Sequence, residues 1–391
     1  MVEKIQFLRS DSSVPIFFLG LLLFSLPLSI VGVEFGAVLF AISFVYTGKW
    51  RLLKVDVVTL LVVFLTLINF GWFVYFNFSI SSYHTVMHIW YLWLLPLVSV
   101  LPWTISRVVY VLRAFVFGLG VNALFGVLQA FGVTIGYVGP QGPMGFTNFH
   151  IWLSMMLALG LMVILYSIRE STLIFNRYFS SVLFVLLFWQ LFATTGRTGQ
   201  AVFFVLLPLV LWWLTPRIRL FGLIFGIVIL TSAALSPVVQ HVWTSALLQI
   251  QAYRHGEIIS SVGLRLVFVG AAWDMILLHP FIGVGAGQFR SVFLYLMHQG
   301  FTPTIPSNLF GVVSSNNSFL GYLSEFGLIG FVPFMVILIK LICKAWGEAN
   351  PLLKYVQILT FCWFVIGSFS DVMVWTWSVM IPFAIIMAMR V

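Results

Sequence analysis

Long apolar runs, many close to 20 residues, alternate along the chain with short stretches rich in charged residues, Gly, Pro, Ser and Asn. A helix needs about 20 apolar residues to cross the roughly 30 Å hydrocarbon core of a bilayer, whereas barrel strands alternate in and out over about 10 residues. The runs here are continuous, so they predict helices. Their limits place about twelve spans near 14–31, 33–48, 55–78, 85–104, 108–134, 149–167, 178–195, 199–216, 219–236, 318–342, 353–369 and 372–390. The first two are short and meet at 32–34, which predicts a tilted or partly re-entrant pair. One connection, 237–317, is far longer than the rest and holds Gly- and Ser-rich turns, two apolar stretches and a Pro-rich tip at 302–306. Structureless loops longer than about 15 residues are usually functional or disordered. The apolar content of this one predicts a packed loop with one or two short helices on the membrane surface. The expectation is an all-α, polytopic integral membrane protein: a single membrane domain, 1–391, with a long loop, 237–317, between its ninth and tenth spans.

Composition turns this pattern into an exclusion. Of 391 residues 62% are hydrophobic and only 7% charged, against about 25% charged in soluble domains. With 19 Lys+Arg and 10 Asp+Glu the chain cannot cover a soluble surface. A soluble globular enzyme, a disordered chain and a secreted disulfide scaffold are therefore ruled out. Cys343 and Cys362 lie in or near apolar runs and form neither a disulfide framework nor a CxxC signal. Lys4 and Arg9 precede the first apolar run without a clear small-residue cleavage site, so that run is read as a retained first span.

The net charge of +9 would point to nucleic acid in a soluble protein; here it reads as orientation, because cytoplasmic loops are enriched in Lys and Arg. With the N-terminus in the cytoplasm, alternating spans put 15 of the 19 basic residues inside, including all six lysines. The four left outside, Arg197, Arg254, Arg265 and Arg290, are all arginines. A guanidinium grips phosphate oxygens with a planar fork and keeps its proton. Several arginines converging on one outer face point to a lipid phosphate or diphosphate, with generic contact to anionic lipids as the weaker alternative.

Four motifs carry candidate chemistry. Thr194-Thr195-Gly196-Arg197-Thr198-Gly199-Gln200 sits where the seventh span ends and the eighth begins, which puts Arg197 at membrane depth or at its outer edge. An arginine there is a functional-site hypothesis by default; the alternative is an interfacial anchor that snorkels. Ser260-Ser261-Val262-Gly263-Leu264-Arg265 precedes an amphipathic stretch in which Arg265 serves a polar site or pairs with Asp274 or Glu257. His279-Pro280-Phe281-Ile282-Gly283-Val284-Gly285-Ala286-Gly287-Gln288-Phe289-Arg290 contains GxGxG but no surrounding strand–helix unit, so it predicts a tight backbone turn followed by a phosphate candidate, Arg290. Ser314-Ser315-Asn316-Asn317-Ser318 runs into Glu325-Phe326-Gly327-Leu328-Ile329-Gly330. Its paired amides suit a hydroxyl-rich ligand or, more simply, a helix cap.

The order TGRTG, SSxGLR, HPFIGVGAGQF and NNSFLGYLSEFGLIG resembles the O-antigen ligase and O-antigen polymerase superfamily of bacterial envelope glycan transferases. Gly145-Phe146-Thr147-Asn148-Phe149-His150 is similar to that family's outer Gly-x-x-x-Asn turn. The motifs cover about residues 139–330, roughly half the chain. The resemblance implies a polytopic, GT-C-like membrane glycosyltransferase of the bacterial inner membrane, with cytoplasmic termini and a periplasmic active site. Such a protein moves glycan from an undecaprenyl-diphosphate carrier to an acceptor sugar hydroxyl. It implies that Arg197 and Arg265 hold the diphosphate; Asn316 is placed with them in the catalytic group, and Arg290, Asn317, Asn148, His150 and Arg254 are further substrate-binding candidates on the outer side. The chain departs from the family where His-Asn is usual and Asn316-Asn317 stands instead. Asn316 cannot take a proton at neutral pH, which leaves His150, His255, His298, Glu257 and Glu325 as candidate bases.

The expected reaction is a metal-independent, inverting glycan transfer with no cofactor. No Asp-x-Asp pair and no His/Cys cluster of ligand spacing stands on the outer side. Joining lipid-linked repeats to one another, as a polymerase does, is favoured slightly by Asn316; joining the glycan to lipid A–core, as a ligase does, is the alternative. Expected partners are the lipid-linked donor, a glycan or lipid A–core acceptor, membrane lipids and a chain-length regulator, with no nucleic acid. A polytopic transporter of lipid-linked glycan also fits twelve spans, but such proteins show internal repeats and midplane charges, and a non-catalytic scaffold is the third reading.

Overall fold

Helices begin where a short polar side chain can take over the first free backbone amides. Ser29, Asp56, Thr104, Asn176, Ser260, Asn317 and Asn350 each accept a backbone N–H two or three residues on. Each such cap contributes about 1 kcal/mol. In apolar surroundings the helix itself satisfies the rest of the backbone. The computed structural model describes residues 13–76, 88–136, 138–139, 142–147, 149–170, 174–214, 226–227, 231, 235, 237–312, 314–371 and 373–391.

Among the described residues there are fourteen α-helices: α1 Ser13–Ser25, α2 Ile30–Tyr46, α3 Val57–Tyr75, α4 Trp90–Ser99, α5 Ile105–Ala130, α6 His150–Glu170, α7 Arg177–Ala193, α8 Arg197–Leu214, α9 Pro237–Arg254, α10 Ser261–Leu278, α11 Phe289–His298, α12 Ser318–Trp346, α13 Pro351–Ser368 and α14 Trp377–Ala388. One short antiparallel pair, β1 Val138–Gly139 with β2 Gly142–Pro143, interrupts the all-α pattern. By length and composition, α3, α5, α10, α12, α13 and residues His150–Arg169 of α6 are apolar enough to cross a membrane; the other apolar helices are shorter.

Helix α6 is the centre of the bundle and packs against α5, α7, α8, α13 and α14. Its inward residues from Leu153 to Ile164 are buried. Polar side chains tie neighbours to it: Trp363 Nε1 donates to the Met155 carbonyl at 2.8 Å and Tyr355 Oη to that of Met162 at 2.9 Å. Gln357 Nε2 of α13 donates to Ile386 of α14 and to Met389 just past its end, at 3.0 and 2.9 Å.

Two sequence expectations change. The joint between the first two helices lies at 26–29, not 32–34, because Pro27 precedes the Ser29 cap and α2 runs unbroken through Gly32. The 237–317 segment is mostly helical, with two 18-residue helices, α9 and α10, and the ten-residue α11. That is more than one or two short surface helices, because the Ser260 cap and the turn before it let both flanking apolar stretches complete helices that pack together. The span read at 219–236 lies almost wholly outside the described residues.

Candidate functional site

The link between α7 and α8 is only 194–196, and its sequence explains how it turns so tightly. Gln200 Nε2 reaches back to the Thr194 and Leu191 carbonyls at 2.9 and 3.2 Å and satisfies the end of α7. Ser154 of α6 accepts the Gly199 N–H at 3.2 Å. A Cβ on Gly199 would come within 2.2 Å of the Ser154 backbone, so only glycine lets α8 start this close to α6. This approach sets Arg197, the first residue of α8, beside His150, the first residue of α6. Arg197 is half-buried and donates to Ser245 Oγ of α9 at 2.9 Å.

The second arginine arrives from a different element. Ser260 caps α10 by accepting the Gly263 N–H at 3.0 Å, and Arg265 follows in the next turn. Arg197 and Arg265 are close enough for their charges to act on each other, and both act on the His150 imidazole. Arg265 pairs with neither Asp274 nor Glu257 among the described ion pairs; it faces Asp371 at 4.0 Å, with side chains 31% and 17% exposed. Asp371 lies between α13 and α14, outside every stretch the sequence motifs cover.

The Asn316–Asn317 turn anchors that loop. Asn317 accepts the Phe319 and Leu320 amides, each at 3.0 Å, and donates to the Phe369 carbonyl at 3.3 Å. Ser318 Oγ donates to the Asp371 carbonyl at 2.9 Å and accepts the Val374 N–H at 3.3 Å. Asn317 is thus a cap, the simpler of its two sequence readings. Asn316 has φ 48°, a left-handed conformation that Asn tolerates better than most residues, and its amide donates to the Ser314 carbonyl at 3.2 Å. Through Ser318 and Asp371 this turn is connected to Arg265.

The remaining two motifs are halves of one junction. Helix α12 breaks at Gly327, with φ 58° and ψ −164°. The backbone there pairs with the glycine-rich segment: Val284 N–H to Ser324 and Gly285 N–H to Glu325, both 2.9 Å, then Leu328 N–H to Pro280 at 2.9 Å and Ile329 N–H to Phe281 at 3.0 Å. The expected tight turn is therefore a turn that docks onto a broken helix. Buried Glu325 accepts the Gly287 N–H at 3.0 Å and also the Phe289 amide at the start of α11. Its carboxyl group thus ties the glycine-rich segment and the start of α11 to α12.

The other predicted residues fall as follows. His150 stands with the two arginines. Arg290 is exposed in the first turn of α11, and Arg254 is exposed at the end of α9, about 13 Å of helix beyond Ser245. Among the described residues no hydrogen bond or ion pair joins either to the Arg197–Arg265 group. His255, Glu257 and His298 are exposed near the ends of α9 and α11. Asn148 lies outside the described residues. Sequence reasoning missed Ser245 and Asp371, and placed Gln200 in a motif without its role; Ser245 carries only a generic polar signal, and Asp371 is the lone acidic residue between the last two apolar runs.

Among curated proteins no match is found. Residues 182–335 match the family model described as O-antigen ligase; Arg197, Arg265 and the Asn316–Asn317 turn fall inside that stretch, so the chain carries a domain of the O-antigen ligase and polymerase superfamily.

Proposed function

We propose that this protein is a membrane glycosyltransferase of the O-antigen ligase or polymerase type, working at the outer face of the bacterial inner membrane on an undecaprenyl-diphosphate-linked glycan. One observation carries the reading. Two guanidinium groups and a histidine from three helices converge, and among the described residues the carboxylate ion-paired with them is that of Asp371, at 4.0 Å from Arg265. Holding two like charges together in a half-buried site is unfavourable unless an anion with more than one charge is to be bound. A diphosphate answers that need. An apolar groove along α5 and α7, lined by Val127, Phe131, Val182, Val185 and Trp189, offers a bed for part of the carrier's hydrocarbon tail beside the helix that leads to Arg197.

In this mechanism the acceptor hydroxyl oxygen attacks the anomeric carbon from the face opposite the diphosphate. The new carbon–oxygen bond forms as the bond to the diphosphate oxygen breaks, and the bonding pair leaves with the diphosphate. Arg197 and Arg265 face that growing charge, and fixed cations aimed at developing charge are usually the largest catalytic contribution. The hydroxyl proton passes to the Asp371 carboxylate. The diphosphate is already a good leaving group, so a weak base suffices. Asn316 fills a turn position here, and the proton acceptor comes instead from the loop that Asn317 and Ser318 anchor.

Asp371→Asn keeps the side-chain shape but removes the base. It is expected to lower kcat by roughly 10²–10⁴-fold with little change in KM for the donor. A rise in KM alone would make Asp371 only a group that positions Arg265.

Purified protein in liposomes, given radiolabelled lipid-linked repeats with and without lipid A–core, tests the whole reading. Carrier-linked chains that lengthen without core support the polymerase, the reading that Asn316 favours over the ligase. Label that moves only onto core makes the protein a ligase, and no turnover of donor in either arm overturns the proposal.

A further inference from the structure

A second site lies at the other end of the molecule. Helix α12 starts at Ser318, beside Asp371, and Lys344 lies in its last turn, past the break at Gly327. There the ends of α3, α4, α12 and α14 enclose a cavity of about 380 Å³ lined by Lys54, Lys344, Arg390, Asp56 and Ser99, with apolar walls that include Leu95 and Leu341.

Part of this lining is used internally. Asp56 accepts the Thr59 N–H at 2.8 Å and caps α3. Lys344 Nζ donates to the Ala388 and Met387 carbonyls at 2.9 and 3.3 Å, two of its three donors, at the end of α14. Lys54 and Arg390 are exposed at the mouth, and among the described residues neither has an ion-pair partner. Arg390, Asp56 and Glu348 all act electrostatically on Lys344, so three cations stand against two acids.

We infer that this cavity binds the phosphodiester headgroup of an anionic membrane lipid. Basic pockets between the ends of membrane helices are suited to such headgroups. What favours a lipid over a soluble anion is the surface leading away from the mouth. Val57, Leu60, Phe64 and Leu67, at helical spacing on α3, are all exposed, and they form an apolar stripe that starts one residue past Asp56. A headgroup in the cavity lays its acyl chains along that stripe. The inference rests on the chain being a membrane protein but not on its transfer activity.

The test uses the full-length protein, delipidated in non-ionic detergent and offered phosphatidylglycerol, phosphatidylcholine or inorganic phosphate. Native mass spectrometry reads retained lipid, and thermal unfolding reads stabilisation. The wild type is expected to retain phosphatidylglycerol and gain Tm from it, with no comparable effect of the other two. At about one surface-charge contribution per residue, Lys54→Gln with Arg390→Gln is expected to weaken retention roughly thirty-fold while leaving the lipid-free Tm unchanged. Arg197→Ala is expected to retain lipid like the wild type, which separates this site from the transfer site. Equal retention by wild type and double variant, equal retention of phosphatidylcholine, or a Tm rise from inorganic phosphate alone would each overturn the inference.

Discussion

Arg197→Ala, folded and inserted in liposomes, is expected to lose glycan transfer by at least about 10²–10³-fold, the usual cost of deleting one donor aimed at developing charge. Arg197 is held from both sides: its guanidinium donates to Ser245 at 2.9 Å, and its backbone sits where α8 abuts Ser154. The position of the cation is therefore built into the fold. Arg197→Lys is expected to recover little, because an ammonium lacks the planar fork that grips two oxygens. Arg265→Ala falls in the same range, and the double variant is expected to be little worse than either single one, since residues acting on one diphosphate are not additive. Donor turnover by radiolabel is the measurement. Normal transfer by a folded Arg197→Ala protein would remove the proposed mechanism.

The second large effect is structural. Gly327 occupies a region of backbone space that is essentially reserved for glycine, with φ 58° and ψ −164°. A Cβ there would lie 2.4 Å from the Phe281 backbone and 2.5 Å from the Gly283 nitrogen, and backbone cannot step aside as a side chain can. Gly327→Ala is expected to cost more than about 3 kcal/mol, the top of the range for strain alone. It separates the glycine-rich segment from α12 and releases the start of α11 from Glu325. Gly300→Ala is the comparison: φ is again positive at 78°, but nothing lies within 4 Å of the added carbon, so the cost is about 1 kcal/mol. Thermal unfolding of both in detergent checks the difference. Equal melting temperatures would show that the junction does not hold the fold together.

These two residues mark different depths of legibility. Arg197 stood out in the sequence because an arginine between two apolar runs is costly, and that cost is a local property. Gly327 stood within one of the sequence motifs, but its reason was not legible there, since the partner that makes it irreplaceable lies more than 40 positions earlier. The pairing of 280–285 with 324–329 uses backbone groups, which leave no pattern of side-chain types to read. Asp371 escaped for a related reason. It lies outside the ordered motifs, and the Asn317 and Ser318 hydrogen bonds hold its loop beside Arg265.

By itself the sequence determined that this is an all-helical membrane protein, roughly where its apolar helices run, and that Arg197 and Arg265 needed explaining. Those properties follow from hydropathy, helix caps and the cost of burying charge, each of which acts within a few residues. Only the tertiary structure decided that the two arginines meet at His150, that Asp371 is the acid beside them, and that the glycine-rich motif and the broken α12 form one junction. It also decided that Lys54, Lys344 and Arg390, which in sequence read only as orientation signals, border one cavity. Convergence depends on how helices far apart in the chain pack around α6. Apolar faces can pack in many ways, and the final arrangement is selected by close glycine contacts and hydrogen bonds between distant segments.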